Sequence, residues 1–164
     1  MYKKYPLEYR RSMASWAADC AERVLPFFES VKPDDARPLQ AIETCRTWAR
    51  TGLFDMSVIR GSSLAAHAAA REVQENDAAC FAARAAGQAV ATAHVLQHSF
   101  GASYYALKAV GAFDPLNAAR NMVIEQTWQL ERAPSELKCE ISKHILIETV
   151  GRKVHVKILK DYDF

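Results

Sequence analysis

The stretch from Leu64 to Val110 constrains the fold more than any other part of the chain. It reads LAAHAAAREVQENDAACFAARAAGQAVATAHVLQHSFGASYYALKAV, and seventeen of its 47 residues are alanine. Only Gly87 and Gly101 interrupt it as glycines. Alanine is the best helix former, and its single methyl lets helix backbones approach closely. The stretch therefore reads as two long helices and the start of a third, packed tightly at the centre of the domain.

Periodicity extends this to about seven helices. The first runs from about Leu7 to about Phe28, with Met13, Trp16, Ala17, Cys20, Val24 and Phe27 on one face and Pro26 positioned to kink or stop it. A second starts near Asp35 to Pro38, where an acidic cap and a first-turn proline coincide, and stops at Gly52. Ser57 can cap a third that runs to about Glu75. Asn76-Asp77 breaks the chain and begins a fourth that reaches about Ser99, with Gly101 beyond its end. The fifth spans about Ala102 to Phe113. The sixth runs from Asp114-Pro115 to near Glu131, with Trp128 helping to close the bundle. The seventh runs from Ala133-Pro134-Ser135 to about Val150, with Gly151 as its stop. After it, Val154, Val156 and Ile158 alternate with His155 and Lys157, the period of a strand-like arm or of a frayed extension. Arg152, Lys153, Lys157 and Lys160 make this end basic. The expected fold is all-α: one helical domain over residues 1–164, a compact bundle with an alanine-rich central helix pair, and residues 152–164 as an extended basic tail. A HEAT-like helical stack is the structural alternative, although no fixed repeat period emerges.

The totals exclude several classes. One domain is the natural prior for 164 residues. A formal net charge of +2 is too small to argue for nucleic acid. No apolar run approaches the roughly 20 residues of a membrane span, and the N-terminal MYKKYPLEYRRS has no apolar core of a signal peptide. Cys20, Cys45, Cys80 and Cys139 are scattered singly, without a CxxC pair. Buried, reduced thiols in a cytoplasmic protein are the expectation.

Chemistry-bearing residues fall on the polar sides of the third and fourth helices. Arg60, His67, Arg71 and Gln74 share one side of the third. On the fourth, an arc of Ala78, Ala82, Ala85, Ala86, Ala89, Ala93 and Leu96 opposes Asp77, Arg84, Gln88, His94 and His98. His94 and His98 stand at i, i+4, a spacing that can present two imidazoles to one metal ion, with His67 as the natural third ligand. The glutamate of an HExxH site is missing, since the run is His94-Val95-Leu96-Gln97-His98. A bland reading has the histidines hydrogen-bonding at a helix interface. The row Arg60, His67, Arg71 and Arg84 can form a basic groove, or simply a solvated face with local pairs such as Arg71 with Glu75. Tyr104 and Tyr105 are candidate interface anchors, one of them expected in the core. No GxSxG elbow and no phosphate-cradling glycine loop occurs. Asp34-Asp35 is most simply a helix cap.

Several segments, taken in order, carry a family resemblance. They are Asp35-Ala36-Arg37-Pro38-Leu39-Gln40-Ala41-Ile42-Glu43 with Trp48-Ala49-Arg50, then Ala65-Ala66-His67-Ala68-Ala69-Ala70-Arg71, then Ala85-Ala86-Gly87-Gln88-Ala89. Ala91-Thr92-Ala93-His94-Val95 and Tyr105-Ala106-Leu107-Lys108-Ala109-Val110 follow. The chain resembles the immunity proteins of bacterial polymorphic toxin systems, in particular the all-α group with an immunity-five-like domain. The resemblance covers about Asp19 to Leu130. It implies a small cytoplasmic protein that binds and neutralises a cognate toxin by binding alone, with no catalytic residues, cofactor, metal, nucleic acid or membrane involved, and a homodimer left open. The residues it makes suitable for toxin binding are Arg37, His67, Arg71, Arg84, His94 and Tyr104, although such residues equally serve to tie helices together. Two readings from other classes stand beside it. One is a metal-dependent helical-bundle hydrolase using His94, His98 and His67. The other is a nucleic-acid-binding domain using the basic row and tail.

Overall fold

The structure, a computed structural model, describes residues 5–151 and 153–160. Arg152 and residues 161–164 of the expected basic tail lie outside the described residues, as do residues 1–4 of the N-terminal segment. The elements in order are α1 (Leu7–Glu29), α2 (Arg37–Thr51), α3 (Met56–Arg71), α4 (Asp77–Ala91), α5 (His98–Phe113), α6 (Ala118–Arg132), α7 (Lys138–His144), β1 (Ile145–Val150) and β2 (Lys153–Ile158). The seven helices form the expected compact all-α bundle. Its centre is α4, which touches α1, α2, α3 and α5. Ala79, Ala82, Ala83, Ala85, Ala86 and Ala89 are all fully buried. A methyl contributes only about 0.8 kcal/mol on burial, so this centre gains its stability from many close backbone approaches rather than from large side chains. No helix of the described residues is long and apolar enough to cross a membrane.

Most helix boundaries follow local signals. Pro26 sits in the last turn of α1, which ends three residues later at Glu29. Asp35 Oδ1 accepts the amide of Arg37 at the start of α2. Asp55, rather than Ser57, caps α3, since its carboxylate accepts the amides of Ser57 and Val58 at 2.8 and 3.2 Å. That helix ends at Arg71, so Gln74 and Glu75 fall in the following turn. Asn76 caps α4 by accepting the Ala79 amide at 3.0 Å.

The expected fourth helix is cut short. It ends at Ala91, the segment 92–97 is a turn, and Gly101 lies inside α5 rather than between helices. Alanine propensity would have carried the helix onward, but tertiary bonds reward the break. The amides of Thr92, Ala93 and His94 turn to the carbonyls three residues back. The Arg10 guanidinium of α1 donates to the Ala93 carbonyl at 2.7 Å, and the Ser99 hydroxyl donates to the Leu96 carbonyl at 2.7 Å. Peptide groups freed by the turn are thereby paired.

The expected seventh helix is also shortened. It stops at His144, and Ile145–Val150 is β1, paired antiparallel with β2 from Ile145↔Ile158 to Val150↔Lys153. Gly151 turns the hairpin at φ 63°, a left-handed conformation that suits glycine. Ile145, Ile147, Thr149 and Val150 are β-branched and fit a pleated strand better than a helix. Leu146 and Ile147, which would widen a helical face, point to opposite sides of the hairpin. The period-two segment is thus a paired strand over residues 153–158.

Three further expectations need correction. Cys20, Cys45 and Cys80 are buried free thiols, but Cys139 is exposed. Trp128 does not close the core. It lies half-buried between Arg23 and Arg132, whose guanidinium carbons sit 4.3 and 4.5 Å from its ring. Neither Tyr104 nor Tyr105 is core, since both are half-buried.

Candidate functional site

The break after Ala91 changes the geometry of the histidines. His94 lies in the turn and His98 is the first residue of α5, so they do not share one helix face. They still meet, with ring centroids 5.2 Å apart, because α4 and α5 fold back on each other as a hairpin. His67 reaches the same place from α3. The three rings line a cleft of about 370 Å³ together with Arg60, Ser63 and Gln88, and the exposed Met56 and Leu64 form its apolar rim. None of the described residues that line it carries a carboxylate.

The two glycines of the alanine-rich stretch build this cleft. A Cβ at Gly87 would stand 2.8 Å from His67 Nε2, and one at Gly101 would stand 2.6 Å from Gln88 Oε1. Each glycine is therefore the seat of a polar side chain from a neighbouring helix. Ser63 also donates to the Gly87 carbonyl at 3.0 Å, which draws α3 onto α4. Gln88 Oε1 faces His98 Nδ1 at 2.7 Å. A carbonyl oxygen only accepts, so the proton sits on Nδ1 and the lone pair on Nε2. His94 Nδ1 is shielded from solvent and has no hydrogen-bond partner among the described residues.

All three imidazoles are pushed toward the neutral form. Burial lowers the pKa of His67, and the Arg84 and Arg71 charges add to this. Burial, then Arg10 and Arg60, lowers that of His94. Burial, then His94 and His67, pushes His98 down to about 4. The physical cause is common to them: a partly desolvated site that holds positive charge and no counter-charge. Among the described residues, no group of three or more His, Cys, Asp or Glu side chains is placed to hold a metal ion. His67, His94 and His98 thus share a cleft without metal-ligating geometry.

The cleft is one end of a longer face. Phe81, Arg84 and Gln88 form a stripe on α4, and His98, Gly101, Tyr105 and Lys108 form one on α5. Beyond the cleft, Phe81 stacks on Tyr105 at 6.1 Å. Lys108 Nζ sits 4.2 Å from the Phe81 ring and 5.4 Å from that of Tyr104, while the Arg84 guanidinium lies 5.9 Å from Tyr105. Arg60 and Arg71 are exposed on α3. Asp77, at the start of α4, is the carboxylate on that helix's stripe. The structure brings together His67, His94 and His98, and sets Arg84 and Tyr104 along the same face. Arg37 does not line the cleft. It bonds to Asp35 and Glu72, joining the start of α2 to the end of α3, and its guanidinium holds both carboxyls below their usual range.

A second polar cluster went unread in the sequence. Arg23 Nε donates to Glu125 Oε2 at 2.7 Å, Gln129 Nε2 donates to Glu125 Oε1 at 3.2 Å, and Ser103 Oγ donates to Gln129 Oε1. Trp16 Nε1 donates to the Gln129 carbonyl at 2.8 Å. Glu125 and Gln129 are only 3% and 1% exposed, so this chain joins α1, α5 and α6 inside the bundle. Its signal was the spacing Met122, Glu125, Gln129, a helical stripe on which two polar residues occupy core positions. Burial holds two of the thiols in the protonated form: Cys45 is pushed up to about 12 and sits against the Ala14 and Ala89 carbonyls, and burial likewise raises Cys20.

A family model described as Imm-5 like putative immunity protein matches residues 3–136. The match spans α1 through α6 and stops before α7 and the hairpin. No curated protein and no solved structure matches the chain.

Proposed function

The chain belongs to the Imm-5 like putative immunity protein family, and from that premise we propose that it binds and neutralises a cognate bacterial toxin in the cytoplasm, by covering the toxin's surface and without catalysis. The observation that carries this reading is the α3–α4–α5 face, which lies within the matched segment. It combines Arg60, Arg71, Arg84 and Lys108 with half-buried Phe81, Tyr104 and Tyr105 and with the exposed Met56 and Leu64. Arginine and aromatic side chains on a rigid support are the usual anchors of a protein interface. His67, Arg71, Arg84, His94 and Tyr104 are the toxin-contacting residues in this reading, and Arg37 contributes by fixing α2 against α3.

The test is co-expression. The open reading frames beside the gene are expressed in a host with and without this protein. Rescue from a toxic neighbour, together with a stable one-to-one complex, supports the reading. The double variant Arg84→Glu, Tyr104→Ala should lose the rescue while remaining folded. Toxicity that persists with this protein well expressed overturns the reading.

A further inference from the structure

We infer that the histidine cleft is the seat for a carboxylate side chain of the toxin, an aspartate or glutamate presented on an apolar-flanked segment, and that seating it draws a proton from solvent onto the cleft's imidazoles. This inference rests on the immunity reading and says which chemistry of the toxin the face takes.

The walls of the cleft make the argument. Arg60, His67, His94 and His98 line it, and among the described residues no acidic side chain does. Among the described residues, the charged groups set around the rings are Arg60 and Arg71 from α3, Arg84 from α4 and Arg10 from α1, every one of them positive. Such a site carries uncompensated positive potential in a partly desolvated space, where an added negative charge is worth more than in water. At about 370 Å³ the cleft holds side chains rather than a folded segment. Its shape is built in, because Gly87 and Gly101 leave the room in which His67 and Gln88 sit. Gln88 fixes the proton of His98 on Nδ1, so Nε2 offers a lone pair that repels a carboxylate until it takes a proton. Protonation forms an N–H, the imidazolium donates to the carboxylate oxygen, and one proton leaves bulk solvent for each ring so converted. The burial and like-charge repulsion that disfavour charged rings in the free protein are then opposed by the incoming charge. Met56 and Leu64, 50% and 57% exposed at the rim, match apolar residues on either side of the acid. A formal net charge of only +2 favours a protein acid over a nucleic-acid backbone as the occupant.

Two measurements test it. In the first, the full chain is titrated with glutarate while the histidine ring signals are followed by NMR. The expected result is a saturable response at His67, His94 and His98, a rise of about one unit in the His98 midpoint, no response at the exposed His155, and loss of the effect in the folded surface variant Arg60→Glu. Silence at the three rings, an equal response at His155, or a response to a short oligonucleotide but not to glutarate would overturn the inference. In the second, the toxin complex is formed in buffers of different ionisation enthalpy. Uptake of about one proton is expected, and the double variant His94→Leu, His98→Gln should weaken binding by about tenfold or more and abolish the uptake. A toxin neutralised equally well by that variant, with no proton uptake, sinks the inference and leaves the immunity reading intact. Failure of the co-expression rescue alongside a positive glutarate titration sinks the immunity reading and not the carboxylate seat.

Discussion

On one side of the bundle, Arg23, Glu125, Gln129, Ser103 and Trp16 close a hydrogen-bond chain that runs from α1 through α6 to α5. On the other, His67, Gln88, His94 and His98 come equally close together, yet His94 Nδ1 has no partner among the described residues and positive charge surrounds the rings uncompensated. Both clusters are polar groups withdrawn from water, and their difference is completion. A closed network locks helices in register and rigidifies the core. An open one costs stability in the free protein, and a fold keeps such a site where a partner supplies the missing charge. The closed cluster ties helices together, and the open one is where we propose that the partner binds.

The largest expected effect separates the two directly. Gln129→Ala removes a 1% exposed side chain and strands the Ser103 hydroxyl and Glu125 Oε1. A cavity plus unpaired polar groups should cost about 2–4 kcal/mol in urea unfolding. His94→Leu in the open cluster removes an unpaired nitrogen and should change stability by less than about 1 kcal/mol in either direction. Equal costs for the two would erase the distinction. The alanine centre gives an intermediate reference: Ala89→Leu, at a fully buried position on α4, should overpack it by about 1–3 kcal/mol without touching either cluster.

Acid sharpens the comparison further. The His98 pKa is depressed from 6.5 to about 4 in the folded protein. Between these values the unfolded chain binds the proton more readily, so this group's stabilisation is complete above about pH 6.5 and is lost as pH falls toward 4. Allowing for solvent screening of a partly exposed ring, the loss is about 1–2 kcal/mol. His67 and His94 shift in the same direction and add to it. Denaturation midpoints measured between pH 6.5 and 4.5 should fall in the wild type and fall less in His98→Gln. Parallel curves would mean that the open cluster does not govern acid sensitivity.

How these regions were read from sequence follows the same division. Every residue of the alanine arc is buried, because helix propensity and burial agree there, but the buried surface of α4 is wider than the arc and takes in Ala79, Cys80, Ala83, Gly87, Val90 and Ala91. Of the six residues named for toxin binding, His67, Arg71, Arg84, His94 and Tyr104 lie along one face, and Arg37 lies apart from it on Asp35 and Glu72. Periodicity failed at the helix end, since the turn at 92–97 depends on Arg10, a residue far away in the chain whose bond to the Ala93 carbonyl no local pattern announces. The i, i+4 metal spacing of His94 and His98 vanished with that helix. β1 was missed for a related reason: Ile145–Val150 is short and opens on three apolar residues in a row, so periodicity cannot separate strand from helix until the partner strand is known. Glu125 and Gln129 went unread because polar residues on a helix are expected outside, although they continue the stripe that Met122 begins.

The smallest effect on stability is also the sharpest probe of the open cluster. Gly101→Ala adds a methyl inside α5 where alanine favours the helix by about 0.5–1 kcal/mol. The methyl meets the flexible end of Gln88, with Oε1 at 2.6 Å, and pushes it aside rather than straining the backbone. These terms oppose each other, so thermal unfolding should move by less than about 1 kcal/mol. The equivalent change at Gly87 meets the rigid ring of His67 and should be the more costly of the two. Yet Gly101→Ala breaks the contact between Gln88 Oε1 and His98 Nδ1. With nothing to hold it, the ring turns outward, regains water, and its midpoint should climb from about 4 back toward 6.5. An NMR pH titration of this nearly isostable variant therefore reads the cleft alone. If the His98 midpoint stays where it is, Gln88 does not organise the ring, and the seat built by Gly101 is packing without consequence for binding.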